Sequence, residues 1–182
     1  MRMSGDPGFD LAVPVSAVDH VLGAAHAPAT LVEYGDFECP NCKQAAPAVK
    51  LLLGRHVGRV RFVFRHFPLE EVHTHSLLAA LAAEAAGGQG RFWPMHDLLF
   101  ENQPYLKERQ IRAYAQQIDL DMEQYDCEMG DQLYLQRVRE HIAGGRSSGV
   151  RATPTFFING RILDVSFGLA ALSRGVEEAL RT

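Results

Sequence analysis

Apolar positions along the chain recur with two different periods, and the switches between them mark its elements. Residues 31–34 are a short, partly β-branched apolar run that predicts a buried strand. Residues 60–67 read Val-Arg-Phe-Val-Phe-Arg-His-Phe, an alternation that sets Phe62, Phe64 and His66 on one face and Arg61, Val63 and Arg65 on the other. Between these strands the spacing becomes helical, with Ala46, Val49, Leu52 and Leu53 on one side. That helix is expected to open at Pro40, bend at Pro47 and stop at Gly54. Strand, crossover helix and strand predict a parallel pair inside an α/β sheet.

From residue 68 to 148 the helical period dominates, over about 75–86, 91–101, 107–117, 122–129 and 132–143. Residues 87–90, 102–104 and 119–121 are the expected joints. A crossover needs only about a dozen residues, so this segment predicts a small helical subdomain inserted into the α/β unit. Near the end, residues 155–158 and 161–165 flank Asn159-Gly160, the signal of a type I′ hairpin. Leu169, Leu172, Val176 and Leu180 then mark one face of a last helix. At the other terminus, residues 15–21 are expected to form a short turn of helix and residues 24–29 a linker. Residues 5–10 are read as a tail, disordered or added as a strand to the sheet edge. The expected organisation is an N-terminal extension over 1–26, an α/β domain over 27–67 and 130–182, and the helical insertion over 68–129.

Composition narrows the class. With 182 residues, 47 % of them hydrophobic, the chain is long enough for one well-buried core. A net charge of -4 gives no reason to expect nucleic acid or an anionic membrane as partner. No run of about 18 apolar residues occurs, so no bilayer span is expected. Residues 1–10 carry no basic stretch leading into an apolar one. A cytoplasmic location is therefore expected, or a periplasmic or other extracytoplasmic one if a leader has been removed. Three cysteines cannot staple a secreted scaffold, and a reactive pair, Cys39 and Cys42, with Cys127 left over fits the count better.

The chemistry centres on Cys39-Pro40-Asn41-Cys42, where the first strand turns into the helix. Cys39 falls at the N-cap, Pro40 at the first helical position, where a missing N–H costs nothing, and Cys42 one turn in. Free N–H groups and the positive end of the helix dipole then favour the Cys39 thiolate. Cys39 is the expected attacking thiol, and Cys42 is placed to resolve the mixed disulfide that results.

The order of elements and several motifs resemble the thioredoxin superfamily, and within it the DsbA-like branch, whose thioredoxin fold is interrupted by a helical domain. The matching residues are Cys39-Pro40-Asn41-Cys42, Glu33 six positions before Cys39, Pro47 eight after it, Phe64-Arg65-His66-Phe67-Pro68-Leu69, and Thr153-Pro154. The resemblance implies a dithiol-disulfide oxidoreductase with no organic cofactor and no metal. It would act on protein or peptide thiols and disulfides with a thioredoxin- or glutathione-type redox partner. It further implies that Pro154 is cis and brings Thr153 beside Cys39. Pro40, Asn41, Thr153 and Pro154 would then meet the substrate, and Glu33 would be a buried acid that moves a proton for Cys42. The sequence departs from the branch at its central dipeptide: Pro-Asn adds hydrogen bonding but no charge, so the redox poise is left open. The absent leader is a second departure, because a cytoplasmic member would meet reducing thiol pools.

Other readings stand beside this one. The cysteine pair could hold a soft metal, Cu(I) or zinc, on a thioredoxin-fold binding module, with His73 and His75 the nearest partners for a two-cysteine, two-histidine zinc site. A glutathione transferase of related fold has no need of Cys42. Cys127 is expected to be a small buried hydrophobe, and His66, His73, His75, His96 and His141 surface or satisfied structural histidines. Phe92, Trp93, Met95 and residues 98–100 are expected to form the core of the insertion. Arg137, Arg139 and Arg146 are placed near the end of a long helix, where they suit its dipole.

Overall fold

The computed structural model describes residues 11–166 and 168–181. Its centre is a sheet in the order β1-β3-β2-β4-β5, built from β1 (His20–Leu22), β2 (Ala29–Gly35), β3 (Val60–His66), β4 (Thr155–Ile158) and β5 (Arg161–Leu163). β2 and β3 run parallel, pairing Leu31 with Phe62 and Glu33 with Phe64, and the other neighbours are antiparallel. The helix that joins the parallel pair, α1 (Pro40–Arg55), starts where expected and carries Pro47 inside it. It passes Gly54, which meets no neighbour, and ends at His56, whose N–H returns to the carbonyls of Leu52 and Leu53. The closing hairpin has the expected turn: Asn159 and Gly160 take φ of 48° and 82°, the left-handed pair a type I′ turn needs. The last helix, α7 (Ala170–Ala179), buries Ala171, Leu172 and Val176.

The helical segment contains α2 (Ser76–Gly88), α3 (Phe92–Glu101), α4 (Glu108–Gln117), α5 (Met122–Gly130) and α6 (Leu135–Ser147). α2 runs into the expected joint as far as Gly88, and Gly87 lies against the His20 ring, where a Cβ would come within 2.7 Å of Cε1. Phe92, Met95, Leu99 and Phe100 are buried, yet they form no separate core. They share one cluster with Phe37, Phe64 and both cysteines of the motif, the Phe37 and Phe100 rings standing 4.9 Å apart. Trp93 is half-buried at the rim of that cluster, its indole N–H donating to Val21 O at 3.2 Å.

Three further expectations fail. Residues 15–21 form a turn and then β1 instead of a helix. Arg65, buried on β3, takes the carbonyls of Val13 (2.7 Å) and Pro14 (3.0 Å) and both oxygens of Asp19 (2.8 and 2.9 Å), which holds the segment open across the sheet. Cys127 is exposed, because α5 turns Tyr125 inward and leaves the thiol facing Asp131. α6 begins at Leu135, so Arg137 lies in its first turn and not near its end. The expected tail over residues 5–10 falls outside the described residues.

Candidate active site

β2 leaves the sheet at Gly35, and the turn that follows sets the redox pair. Asp36 Oδ1 accepts from the Glu38 N–H at 2.8 Å, and Asp36 O from the Cys39 N–H at 3.1 Å. This closes the loop so that Cys39 is the N-cap of α1, with φ -76° and ψ 122°. Pro40 is the first helical residue and Cys42 lies in the first turn. Both cysteines are free thiols; Cys39 is 5 % exposed and Cys42 fully buried. The chain returns before β4 with a cis Thr153–Pro154 peptide, and the Cys39 Sγ donates to Thr153 O at 3.3 Å. A cleft of about 350 Å³ opens beside them, lined by Asn41, Gln44, Thr153, Pro154, Val165 and Leu169 among others. The residues expected to form the site, Cys39, Pro40, Asn41, Cys42, Thr153 and Pro154, are thus brought together.

Their environments push the two thiols apart. A hydrogen bond from the Cys42 thiol, against the opposing effect of burial, holds Cys39 down at about 5. The Thr153 side chain and the N–H groups of Asn41 and Cys42 add to this. Thr153 Oγ1 is itself buried without an aligned partner, so its hydroxyl favours the thiolate by proximity rather than by a completed bond. Burial pushes Cys42 far up, as do its bond to Cys39 and the nearby charges of Glu33 and Cys39; the Asp36 N–H, 3.5 Å from its sulfur, opposes weakly. Glu33 on β2 is 2 % exposed, and burial followed by the charge on Cys39 raises its carboxyl to about 8. Its Oε1 has no hydrogen-bond partner. The arrangement therefore offers one thiol ready as thiolate, one held protonated, and an acid that keeps its proton near neutral pH.

The helical segment grips this loop through contacts that sequence reasoning did not assign. Asp36 Oδ2 accepts from the Leu69 N–H and His73 Nδ1, both at 2.8 Å. Glu38 accepts from the His75 N–H at 2.7 Å and its Nδ1 at 3.0 Å. The matched pairs Asp36-x-Glu38 and His73-x-His75 were a signal available in the chain. Gln103, whose Nε2 reaches Phe37 O and Cys39 O at 2.8 Å each, carried no such signal.

A second polar cluster lies under the sheet. Glu84 on α2 meets His66 Nε2 at 2.8 Å and His20 Nε2 at 3.0 Å, and Arg137 Nε stands 2.7 Å away as an ion pair not aligned as a hydrogen bond. His66 and His96 are buried, each with one unpartnered ring nitrogen, so neither is the surface or satisfied histidine expected. His66, Glu84 and His141 offer ligand atoms within 4.8 Å of one another. The site suits a charge network better than a metal: Arg137 already opposes the carboxylate, His141 Nδ1 already accepts from the His66 N–H at 3.2 Å, and the two rings stack. Among the described residues no such group includes Cys39 or Cys42, and His73 and His75 are engaged by carboxylates.

The chain is 47 % identical over 172 residues to a protein named Na(+)/H(+) antiporter NhaA 1 from Salinispora arenicola, covering 94 % of this chain and 26 % of that protein. A Salinispora tropica protein named Na(+)/H(+) antiporter NhaA 3 is 45 % identical with the same coverage. The chain thus spans about a quarter of the length of these relatives. Among the described residues no helix is long and apolar enough to cross a membrane. In structure it is similar to BdbD from Bacillus subtilis, with 25 % identity, a TM-score of 0.79 and coverage of 89 % of this chain and 92 % of that one. It is also similar to a thioredoxin-like oxidoreductase from Silicibacter pomeroyi, with 26 % identity, a TM-score of 0.81 and coverage of 92 % and 95 %. The thiol-disulfide exchange protein alpha-DsbA2 from Wolbachia pipientis shares the fold at 20 % identity, with a TM-score of 0.75 and coverage of 89 % and 87 %. Residues 16–178, which hold every element of the sheet and the redox loop, match the family model described as Thioredoxin, and the chain belongs to the thioredoxin family.

Proposed function

We propose that this protein is a dithiol-disulfide oxidoreductase that exchanges disulfides with protein or peptide thiols through Cys39 and Cys42. In the oxidising direction a substrate thiolate attacks the Cys39 sulfur of the Cys39–Cys42 disulfide and expels Cys42, which takes up a proton. A second substrate thiolate then attacks the substrate sulfur of the mixed disulfide and expels Cys39 as its thiolate. Two electrons pass from the substrate pair to the cysteine pair, and the reverse sequence reduces a substrate disulfide. Glu33 is assigned the proton that Cys42 gains or gives up, relayed through water. Thr153 and Pro154, with Pro40 and Asn41 opposite, are assigned to hold the substrate chain extended beside Cys39.

The observation that carries this reading is the division between the thiols, Cys39 held at about 5 beside a Cys42 held protonated. A lowered thiol is a good leaving group, and stabilising it stabilises the reduced pair. The value lies between the roughly 7 of thioredoxin and the roughly 3.5 of DsbA, which supports an oxidant stronger than thioredoxin. A thioredoxin- or glutathione-type partner would then reset the pair according to the poise of its compartment.

Equilibration with glutathione buffers tests the reading, with Cys42→Ser as control. A single reversible two-electron transition above the thioredoxin potential of about -270 mV, and a trapped mixed disulfide in the variant, are expected. Failure to form a Cys39–Cys42 disulfide would overturn it, as would stoichiometric Cu(I) or zinc that is lost in Cys42→Ala.

A further inference from the structure

Gln103 sits in the turn over residues 102–104, between α3 and α4, and is the point where the helical segment touches the backbone on both sides of Glu38. Carbonyl oxygens only accept, so the amide nitrogen must face them and give one N–H to Phe37 O and the other to Cys39 O. Its stem is anchored at the end of α3, where the Asn102 side chain caps Leu98 O at 2.9 Å and the Tyr105 N–H returns to Asn102 O at 2.7 Å. The Cys39 carbonyl also accepts the first bond of α1, from the Lys43 N–H at 3.1 Å. Two donors from different parts of the chain therefore set the orientation of the Cys39 carbonyl.

We propose that Gln103 is a positioning residue for Cys39: its side-chain amide fixes the peptide planes flanking the loop and thereby holds the sulfur against the free N–H groups at the start of α1. The ψ of Cys39 decides where the N–H groups of Asn41 and Cys42 stand relative to its own sulfur, and a carbonyl held by two donors leaves ψ little freedom. Released from Gln103, the loop keeps Asp36 and Glu38 tied by their own partners but loses its hold on the residue that carries the thiol. The consequence is a smaller preference for thiolate and a disulfide that is harder to reduce. The inference rests on the redox reading above, and its test separates the two.

In the full chain, Gln103→Met keeps the length and removes both donors. Gln103→Glu keeps the shape but, once ionised, turns an acceptor toward two carbonyls. The readouts are the titration of Cys39 by thiolate absorbance, the equilibrium with glutathione, and the thermal midpoint. Gln103→Met is expected to titrate at higher pH than wild type and to shift the glutathione equilibrium toward the disulfide about tenfold, equivalent to about 30 mV. Gln103→Glu is expected to go further near neutral pH and to recover toward wild type as the medium is acidified. Variants that titrate and equilibrate like wild type would overturn the proposal even if their thermal midpoints fall, because that result means packing alone. A wild-type chain that fails to equilibrate with glutathione would sink the redox reading instead.

Discussion

Two glutamates, Glu33 on β2 and Glu84 on α2, are buried to the same 2 % exposure and end in opposite states of charge. Glu33 sits at the centre of the sheet beside Phe64, with one carboxyl oxygen unpartnered, and keeps its proton to about pH 8. Glu84 is met by His20, His66 and Arg137, and these partners outweigh burial and drive its carboxyl far below the usual range. Burial sets the cost of a charge, and the groups within reach decide whether that charge exists. The acid with an unpartnered oxygen lies beside the redox pair, where a held proton has a use. The acid with partners ties β1, β3, α2 and α6 together.

The two residues also act on stability in opposite directions. Glu33 binds its proton more tightly folded than unfolded, so its contribution is fully present below its unfolded value of 4.5 and is lost as pH rises toward about 8. Glu84 is depressed on folding, so its contribution is present above 4.5 and is lost on acidification. Burial also lowers His66, and brings His141 to about 3, so both lose stability as pH falls below 6.5. The acid side of the stability profile thus belongs to the Glu84 cluster and the alkaline side to Glu33.

Glu33→Leu should give the largest change. The interval from 4.5 to about 8, at about 1.4 kcal/mol per pH unit, corresponds to at most about 5 kcal/mol. Urea unfolding of the oxidised protein, in which Cys39 carries no charge, should show the variant gaining on wild type between about pH 5 and pH 8, the His66 and His141 contributions being common to both. Parallel profiles would mean that Glu33 does not hold its proton. The same variant should slow thiol exchange by about a hundredfold if Glu33 moves the Cys42 proton, so greater stability and lower activity are expected together.

Glu84→Gln should come next and in the opposite direction. It leaves two imidazoles and a guanidinium facing a neutral amide, and breaking such a buried pair costs about 3–5 kcal/mol. Thermal unfolding should show a large loss at neutral pH together with a flatter response to acid below about pH 4.5, where wild type is still losing the Glu84 contribution. A variant with unchanged stability would mean that the network is held by packing and not by charge.

What could be read from the chain follows the range of the interactions. The Cys39 cap, Pro40, the alternation of β3 and the Asn159-Gly160 turn are local, and each appears at its expected place. Burial of Glu33 was not local: nothing in the strand itself marks its acid as buried, and only the resemblance supplied that expectation. The Glu84 cluster draws on residues 20, 66, 84 and 137, separated in the chain by β2 and α1, by residues 67–75, and by α3, α4 and α5, and no periodicity links them. Residues 15–21 were misread for the same reason, because Arg65 on β3 decides their course. Cys127 failed differently: α5 is short and polar, its single buried side chain is Tyr125, and the helical period did not say which face would turn inward.

The smallest effect should come from Arg137→Met, which removes one partner of Glu84 and sharpens the contrast most. Arg137 is the accessible member of the cluster, 26 % exposed against 2 % for Glu84. Its loss should fall between the worth of an exposed pair and that of a buried one, about 1–2 kcal/mol. The methionine keeps the apolar stem, so packing changes little. The remaining charge on Glu84 must then be met by His66 and His20 alone. Arg137 is among the groups that hold His66 below its ordinary value, so in its absence His66 should take up a proton more readily. A histidine raised toward or past its unfolded value loses less stability on acidification, and once above that value it gains. The deficit measured in thermal or urea unfolding should therefore be largest at about pH 8 and shrink toward pH 6. A deficit that stays constant across that range would mean that the imidazoles do not take over the charge, and that Glu84 differs from Glu33 through Arg137 alone.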